Sequence, residues 1–323
     1  MRKFRKVIAV IIAAALLVLL LNLLTPLAYH LLPNDYVRTR LILGALQRER
    51  PELVVLGNSR GMSGLNAHTL EDSLGLSALN CCSVSQNLAE SMLYYDRLPS
   101  SVKVVLQCID EKEFTRDAVW LSEAASVAFP MNGYQLDSLP RALLGSFDLE
   151  RLTESRLHRN FRVRSAFKTG LAKWLINHLD DDAPSDALYD MKYPYIYPSD
   201  HSKTYDRDLQ LQQKYLPTKT TVFELPASLR NYCATLDRYL AQRGVKLVFV
   251  LMPNCPALGW PREAYASYRR AVTATLGNCR WIDAFETLPD EGFYDPLHPN
   301  RIGGARLTPF VAAQLRAILS SDR

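Results

Sequence analysis

Two short motifs, one near each end of the chain, hold the residues best suited to catalysis. The first is Gly57-Asn58-Ser59-Arg60-Gly61, which directly follows an apolar run. A serine in a tight turn between a strand and a helix presents its hydroxyl at the edge of a sheet, near backbone N–H groups that can bind an oxyanion. Taken alone, the motif also suits a plain turn in which Ser59 caps a helix.

The second motif is Asp295-Pro296-Leu297-His298, in the loop before the last predicted helix. An Asp three residues before a His can orient the imidazole through one ring nitrogen, which leaves the other nitrogen to take a proton from Ser59. The two motifs follow the first and the last predicted strand, and this order favours catalysis over a plain turn. We therefore predict that Ser59 is a nucleophile, His298 a general base and Asp295 the acid that orients it.

The elements that must position these motifs alternate between apolar runs and helical patterns. The predicted strands cover residues 53–56, 78–84, 102–109, 245–252 and 280–284, and the main predicted helices cover 34–50, 88–98, 225–243, 262–276 and 302–319. Alternating strands and helices favour an α/β fold, with a parallel, doubly wound sheet covered on both faces. Ligands of such sheets bind beyond the carboxyl ends of the strands, where both motifs are expected.

Residues 111–224 break this alternation and are too many for a crossover loop. We predict one domain over residues 31–323, in which 111–224 form an inserted, partly helical cap over the strand ends. The tyrosine-rich stretch 189–198 would pack within this cap, or else stack on sugar rings or touch the surface of the bilayer.

The leader, residues 1–30, has four cations at positions 2, 3, 5 and 6, followed by an apolar run over 7–24. A run of this length suits a helix that crosses the lipid bilayer, and the cations place its start in the cytoplasm. A cleaved signal peptide is the competing interpretation, but no clear cleavage site follows. We predict a single-pass anchor with a periplasmic or extracellular catalytic domain.

The distribution of charge argues against a nucleic-acid-binding protein, and the cysteine spacing argues against a zinc site. The formal net charge is +5, and the leader supplies four of these charges, so the rest of the chain lacks the basic surface of a nucleic-acid binder. The six cysteines show no zinc-binding spacing. We expect no metal and no cofactor, and the spacing does not assign disulfides.

The order of the motifs resembles the SGNH (GDSL-like) hydrolase superfamily, over about residues 53–110 and 245–319. Its members place the nucleophilic Ser after the first strand and an Asp-x-x-His pair before the last helix, which matches Ser59, Asp295 and His298. The resemblance implies a three-layer, flavodoxin-like fold. An α/β-hydrolase is excluded because it places several strands before its Gly-x-Ser-x-Gly motif.

Among such proteins, a membrane-anchored member with a large insertion is most similar to the DltD-type proteins. That resemblance implies two partners: a membrane-bound O-acyltransferase, and an acylated surface glycan or similar polymer of the cell envelope. The expected function is that of an extracytoplasmic serine esterase or O-acyltransferase. The alternative is a weak or inactive scaffold with the same fold, which binds the acyltransferase or the glycan.

The oxyanion hole departs from the family pattern. The family's second motif offers a glycine N–H; here Ser83 or Ser85 would supply it, and we predict Ser83 together with Ser59. The family's Asn at the third strand end is missing, and Asp110 stands there instead. Losing one oxyanion donor costs about 2.7–4 kcal/mol of transition-state stabilisation.

Three further residues are predicted near the substrate. Arg60 would attract an anionic substrate or form a surface ion pair. Asp110 would bind the substrate or cap a helix. Asn254 follows the fourth predicted strand and would line the pocket.

Overall fold

The computed structural model describes residues 2–24, 34–111, 120–163, 190–194 and 196–321. Its centre is a five-stranded parallel sheet in the order β2-β1-β3-β4-β5. The strands are β1 (Leu53–Leu56), β2 (Ala78–Asn80), β3 (Val104–Ile109), β4 (Lys246–Leu251) and β5 (Arg280–Asp283). Each lies within its predicted range, and the predicted parallel sheet is confirmed. A small antiparallel pair, β6 (Phe293–Asp295) and β7 (His298–Pro299), follows β5.

Alternating strand residues build two apolar clusters, one on each face of the sheet, because successive side chains of a strand point to opposite faces. Val54 and Leu56 belong to one cluster, whereas Leu53 and Val55 belong to the other. All four residues of β1 are buried, which explains why the strand is a continuous apolar run.

The described residues form thirteen α-helices. They are α1 (Arg2–Leu24), α2 (Asn34–Glu49), α3 (Ser59–Gly64), α4 (Ala67–Leu74), α5 (Leu88–Tyr95), α6 (Glu123–Met131), α7 (Ser138–Leu143), α8 (Ser146–Thr153), α9 (Arg156–Arg162), α10 (Tyr205–Gln213), α11 (Ala227–Gln242), α12 (Arg262–Leu276) and α13 (Arg301–Ser321). Residues of α2, α5, α11 and α12 cover one face of the sheet, and residues of α3, α4 and α13 cover the other.

Two parts of the predicted insertion differ in what they pack against. Apolar residues of α6, α7 and α8 join α2 and α5 in the cluster on one face of the sheet, so this part extends a helical layer rather than covering the strand ends. The described residues of segment 190–202 instead lie beside β2, where the N–H of Asn80 donates to the carbonyl of Met191, and contact α3 and α13. Residues 112–119, 164–189 and 195 of the predicted cap lie outside the described residues.

The apolar run of the leader lies on α1. Across the part of the chain that the structure describes, no helix is long and apolar enough to span a membrane. All six cysteines are described, and each is buried as a free thiol.

Candidate active site

Ser59 begins α3 at the carboxyl end of β1, in a turn that requires glycine before it. Gly57 has φ +141°, and a Cβ on it would lie 2.7 Å from both Cβ and the carbonyl oxygen of Cys108. Asn58 caps α3, because its Oδ1 accepts a 3.0 Å hydrogen bond from the N–H of Arg60. The close contact with β3 and the cap together fix the position of the Ser59 side chain.

The structure brings Ser59, His298 and Asp295 together, as the sequence predicts. Ser59 Oγ lies 2.8 Å from His298 Nε2. His298 Nδ1 lies 2.9 Å from Asp295 Oδ1 and 2.8 Å from Oδ2. With the Nδ1 proton directed to the carboxylate, Nε2 is free to accept the hydroxyl proton of Ser59, which is the arrangement that activates a serine nucleophile.

Asp295, the last residue of β6, is held as an anion by the turn that follows it. Its Oδ1 also accepts hydrogen bonds from the backbone N–H groups of Leu297, at 2.8 Å, and His298, at 3.0 Å. Burial alone would raise the pKa of Asp295, but the hydrogen bonds from His298 and from the two backbone N–H groups lower it below its ordinary value. The Asp295 and His298 side chains keep 22% and 20% of their surface exposed, so the site is open to solvent.

Asn300 ties the loop of His298 to the insertion. Its buried Nδ2 donates hydrogen bonds of 2.8 Å to the carbonyls of Ser199 and Glu291. The N–H of Arg301 donates to the carbonyl of Tyr197, whose ring centre lies 5.5 Å from that of His298. Segment 190–202 therefore supports the loop that carries the base.

The same segment also reaches the helix of the nucleophile. Tyr193 Oη donates a 2.8 Å hydrogen bond to the carbonyl of Ser63, in α3. Tyr193 also fills the space beside Gly304, where a Cβ would clash with the phenol oxygen. Of the predicted tyrosine-rich stretch, Tyr193 and Tyr197 are thus packed against the site, while Tyr189 and Tyr195 lie outside the described residues.

Arg60 forms an ion pair, as one of its two interpretations predicted, but a buried one. Only 3% of the residue is exposed, and its guanidinium donates two 2.7 Å hydrogen bonds to the carboxylate of Glu111. Burial alone would lower the pKa of Arg60, but the charges of Glu111 and Asp110 raise it above its ordinary value. The guanidinium is buried and engaged by Glu111, so it is not exposed to an anionic substrate as the other interpretation required.

Asp110 supports the turn of the nucleophile. Its Oδ2 accepts a 2.7 Å hydrogen bond from Asn58 Nδ2 and lies 3.9 Å from Arg60 Nε. This contact places it behind the Ser59 turn, a position that neither of its predicted roles described. Asn254 is also buried, and its N–H donates to the carbonyl of Phe285, near the end of β5. Its Oδ1 has no hydrogen-bond partner among the described residues.

The prediction that Ser83 supplies an oxyanion N–H is wrong. That N–H donates a 3.0 Å hydrogen bond to the carbonyl of Gly57. A turn follows, in which the N–H of Gln86 donates to the carbonyl of Ser83 and Ser85 has φ +57°. The N–H groups of Ser59, Val84 and Ser85 donate to no acceptor in the described part of the chain. Of the two serines considered from the sequence, only Ser85 therefore keeps its N–H available.

The described residues contain no group of three or more His, Cys, Asp or Glu side chains placed to bind a metal ion. The contacts that the sequence did not identify are those of Asn58, Glu111 and Tyr193. Asn58 had a recognisable signal, since an Asn just before a helix is a common cap.

Comparison of the chain with protein-family models gave no match, and a search of curated proteins found no relative.

Proposed function

We propose that this chain is an extracytoplasmic serine esterase or O-acyltransferase with an SGNH-like fold, which acts on acyl esters of a cell-envelope polysaccharide or a related surface polymer. The observation that carries the proposal is the 2.8 Å contact between Ser59 Oγ and His298 Nε2, with Asp295 on the other ring nitrogen. The sheet order 2-1-3-4-5 supports it as well, because ligands of such folds bind near the carboxyl ends of β1 and β3.

In the proposed reaction, Ser59 Oγ attacks the ester carbonyl carbon while His298 Nε2 takes the hydroxyl proton. The oxyanion of the tetrahedral intermediate accepts a hydrogen bond from the N–H of Ser59 and from one of the two open N–H groups after Ser83. The C–O bond to the alcohol then breaks, and His298 gives its proton to the departing oxygen. Water or a glycan hydroxyl next attacks the acyl carbon while His298 takes its proton, the bond between Ser59 Oγ and the acyl carbon breaks, and His298 returns the proton to Ser59 Oγ.

The location outside the cytoplasm rests on the sequence of the leader, with its cations before an apolar run. In this proposal residues 7–24 hold the domain at the lipid bilayer, beside a membrane-bound O-acyltransferase. Fractionation of cells and accessibility of the domain to a protease added from outside test the location independently of the catalytic proposal.

A fluorophosphonate probe tests the catalytic proposal directly, because it reacts with activated serines. We expect the probe to label the wild-type chain and to leave Ser59→Ala unlabelled. Ser138→Ala is a matched control: Ser138 also begins a helix after a capping residue, but it is exposed. Labelling that is absent from the wild type, or that persists in Ser59→Ala, would refute the proposal.

A scaffold without catalysis is the second candidate function, and one observation favours it. The N–H of Ser83 is occupied by the carbonyl of Gly57, so an oxyanion donor expected from the resemblance is missing. In that case the fold would bind an acyltransferase or a glycan, and the same labelling experiment would give no signal at Ser59.

A further inference from the structure

A cavity of about 310 Å³ is lined in part by one residue of the catalytic loop and by the partner of Arg60. Leu297, which lines it, stands between Asp295 and His298 in the catalytic loop. Glu111, which also lines it, binds Arg60, the residue after Ser59. The cavity thus shares one residue with the loop of the base and contacts the ion pair beside the nucleophile, which supports its use by a group attached to the reacting ester.

The walls of this cavity are mainly apolar. The apolar lining residues are Leu216, Pro217, Phe223, Leu258, Trp260 and Leu297. Phe223 and Trp260 stack on each other with ring centres 6.0 Å apart, so part of the wall is aromatic. Tyr215, also in the lining, is 78% exposed and extends this apolar surface towards solvent.

The polar groups of the lining are few, and two of them are already engaged. Both carboxylate oxygens of Glu111 accept hydrogen bonds from Arg60. Thr221 Oγ1 accepts a hydrogen bond from the N–H of Thr218 within its own turn. A sugar needs several hydrogen-bonding groups directed at its hydroxyls, whereas an alkyl chain needs only an apolar surface. The lining therefore fits an alkyl chain better than a sugar.

We propose that this cavity binds the acyl chain of the ester substrate, and that the chain is of medium length, from hexanoyl to decanoyl. The inference rests on the proposed function and names its substrate class. The length follows from the volume: an apolar cavity of about 150 Å³ binds one benzene molecule, so a cavity of about 310 Å³ has room for roughly twice that number of carbon atoms. Part of the cavity is open to solvent and buries fewer carbon atoms than its full volume could hold. This sets hexanoyl as the lower end of the chain-length range.

Hydrolysis of p-nitrophenyl esters from acetate to dodecanoate tests the proposal on the full chain. We expect kcat/KM to rise by up to about fourfold per methylene, the value for burying one such group, and to level off near decanoate. Gln212→Trp should fill the cavity and lower the octanoate-to-acetate ratio of kcat/KM by about tenfold, the equivalent of roughly two methylene groups. Leu211→Trp is the matched control, since Leu211 lies on the same helix, is 46% exposed and does not line the cavity.

A second pair of variants guards against a folding defect in Gln212→Trp. Phe223→Ala removes part of the aromatic wall and should lower activity on octanoate more than on acetate. Val222→Ala, at a neighbouring residue that is 74% exposed and outside the lining, should change neither.

The outcomes separate this inference from the proposed function. If Ser59 reacts with the fluorophosphonate but acetate is the best ester, or if neither Gln212→Trp nor Phe223→Ala changes the chain-length profile, the acyl-chain assignment is overturned and the serine enzyme stands. If wild-type Ser59 neither reacts with the probe nor cleaves any ester, the proposed function fails and the assignment fails with it.

Discussion

Glu111 and Arg60 face each other with two hydrogen bonds of 2.7 Å, one to each carboxylate oxygen. Arg60 is the residue after Ser59, and Glu111 is the second residue after β3, so this ion pair joins the turn of the nucleophile to the neighbouring strand end. Both side chains are nearly fully buried, at 4% and 11% exposure. Charges at that depth are tolerated only when they are paired.

We therefore expect Glu111→Ala to lower the free energy of unfolding by about 3–5 kcal/mol, because it leaves the charge of Arg60 buried without its main partner. Urea denaturation measures the effect. Lys103→Ala is the control, since it breaks an exposed ion pair with Glu52 and should cost at most about 1 kcal/mol. Similar losses in the two variants would show that the buried pair does not hold the turn.

Replacing Asp295 should affect catalysis more than binding. Asp295→Asn removes the acceptor that orients His298 Nδ1, and kcat should fall by up to about 10⁴-fold, with a smaller change in KM. Steady-state kinetics on an activated ester measures both constants. Glu291→Gln, an exposed carboxylate nearby in the chain, should leave them unchanged. A kcat within about threefold of the wild type would argue against orientation of the base by Asp295.

The lowered pKa of Asp295 predicts how its contribution to stability depends on pH. A carboxyl group whose pKa is lower in the folded state stabilises the fold fully above its unfolded pKa of about 3.9, and this stabilisation is lost as the pH falls through the lower folded pKa. The wild type should therefore exceed Asp295→Asn in urea midpoint at neutral pH. The two midpoints should converge in strong acid, and a gap that widens on acidification would contradict this sign.

Two glycines provide a test of the turn before Ser59. Gly57→Ala would place a Cβ 2.7 Å from Cys108 at a φ of +141°, so we expect the free energy of unfolding to fall by about 2–5 kcal/mol. Gly44→Ala, in the exposed middle of α2 with no atom near the new Cβ, should raise it by about 0.5–1 kcal/mol. Thermal or urea denaturation of both variants is sufficient. A tolerated Gly57→Ala would mean that the turn is less tightly held than the contact with Cys108 implies.

The sequence predicted the features that depend on local patterns. The strands follow from continuous apolar runs, and α12 has its predicted bounds because Gly277 ends it. It indicated a helix after the turn of Ser59 but not the bounds of α3, whose six residues Ser59–Gly64 include two glycines and show no apolar period. That short helix is held by tertiary contacts instead, such as the buried side chain of Met62.

Within the site, the catalytic residues were predictable, whereas their surroundings were not. The order of Ser59, Asp295 and His298 along the chain indicates which sheet edge they share. The pairing of Arg60 with Glu111 joins positions that are 51 residues apart, and no local pattern indicates it. The error at Ser83 has the same origin, because the acceptor of its N–H, Gly57, belongs to a different strand end.

The contacts of segment 190–202 have a consequence for any attempt to shorten this protein. The hydroxyl of Tyr193 is hydrogen-bonded to the helix of the nucleophile, and the carbonyl of Ser199 is hydrogen-bonded to the loop of the base. An engineered deletion of the whole insertion, even with a well-chosen linker, would therefore remove the segment that joins the helix of Ser59 to the loop of His298 and helps to set their spacing. A minimal version of this protein has to keep segment 190–202. Redesign of the insertion should therefore begin in the helices α6 to α9, which pack away from Ser59 and His298.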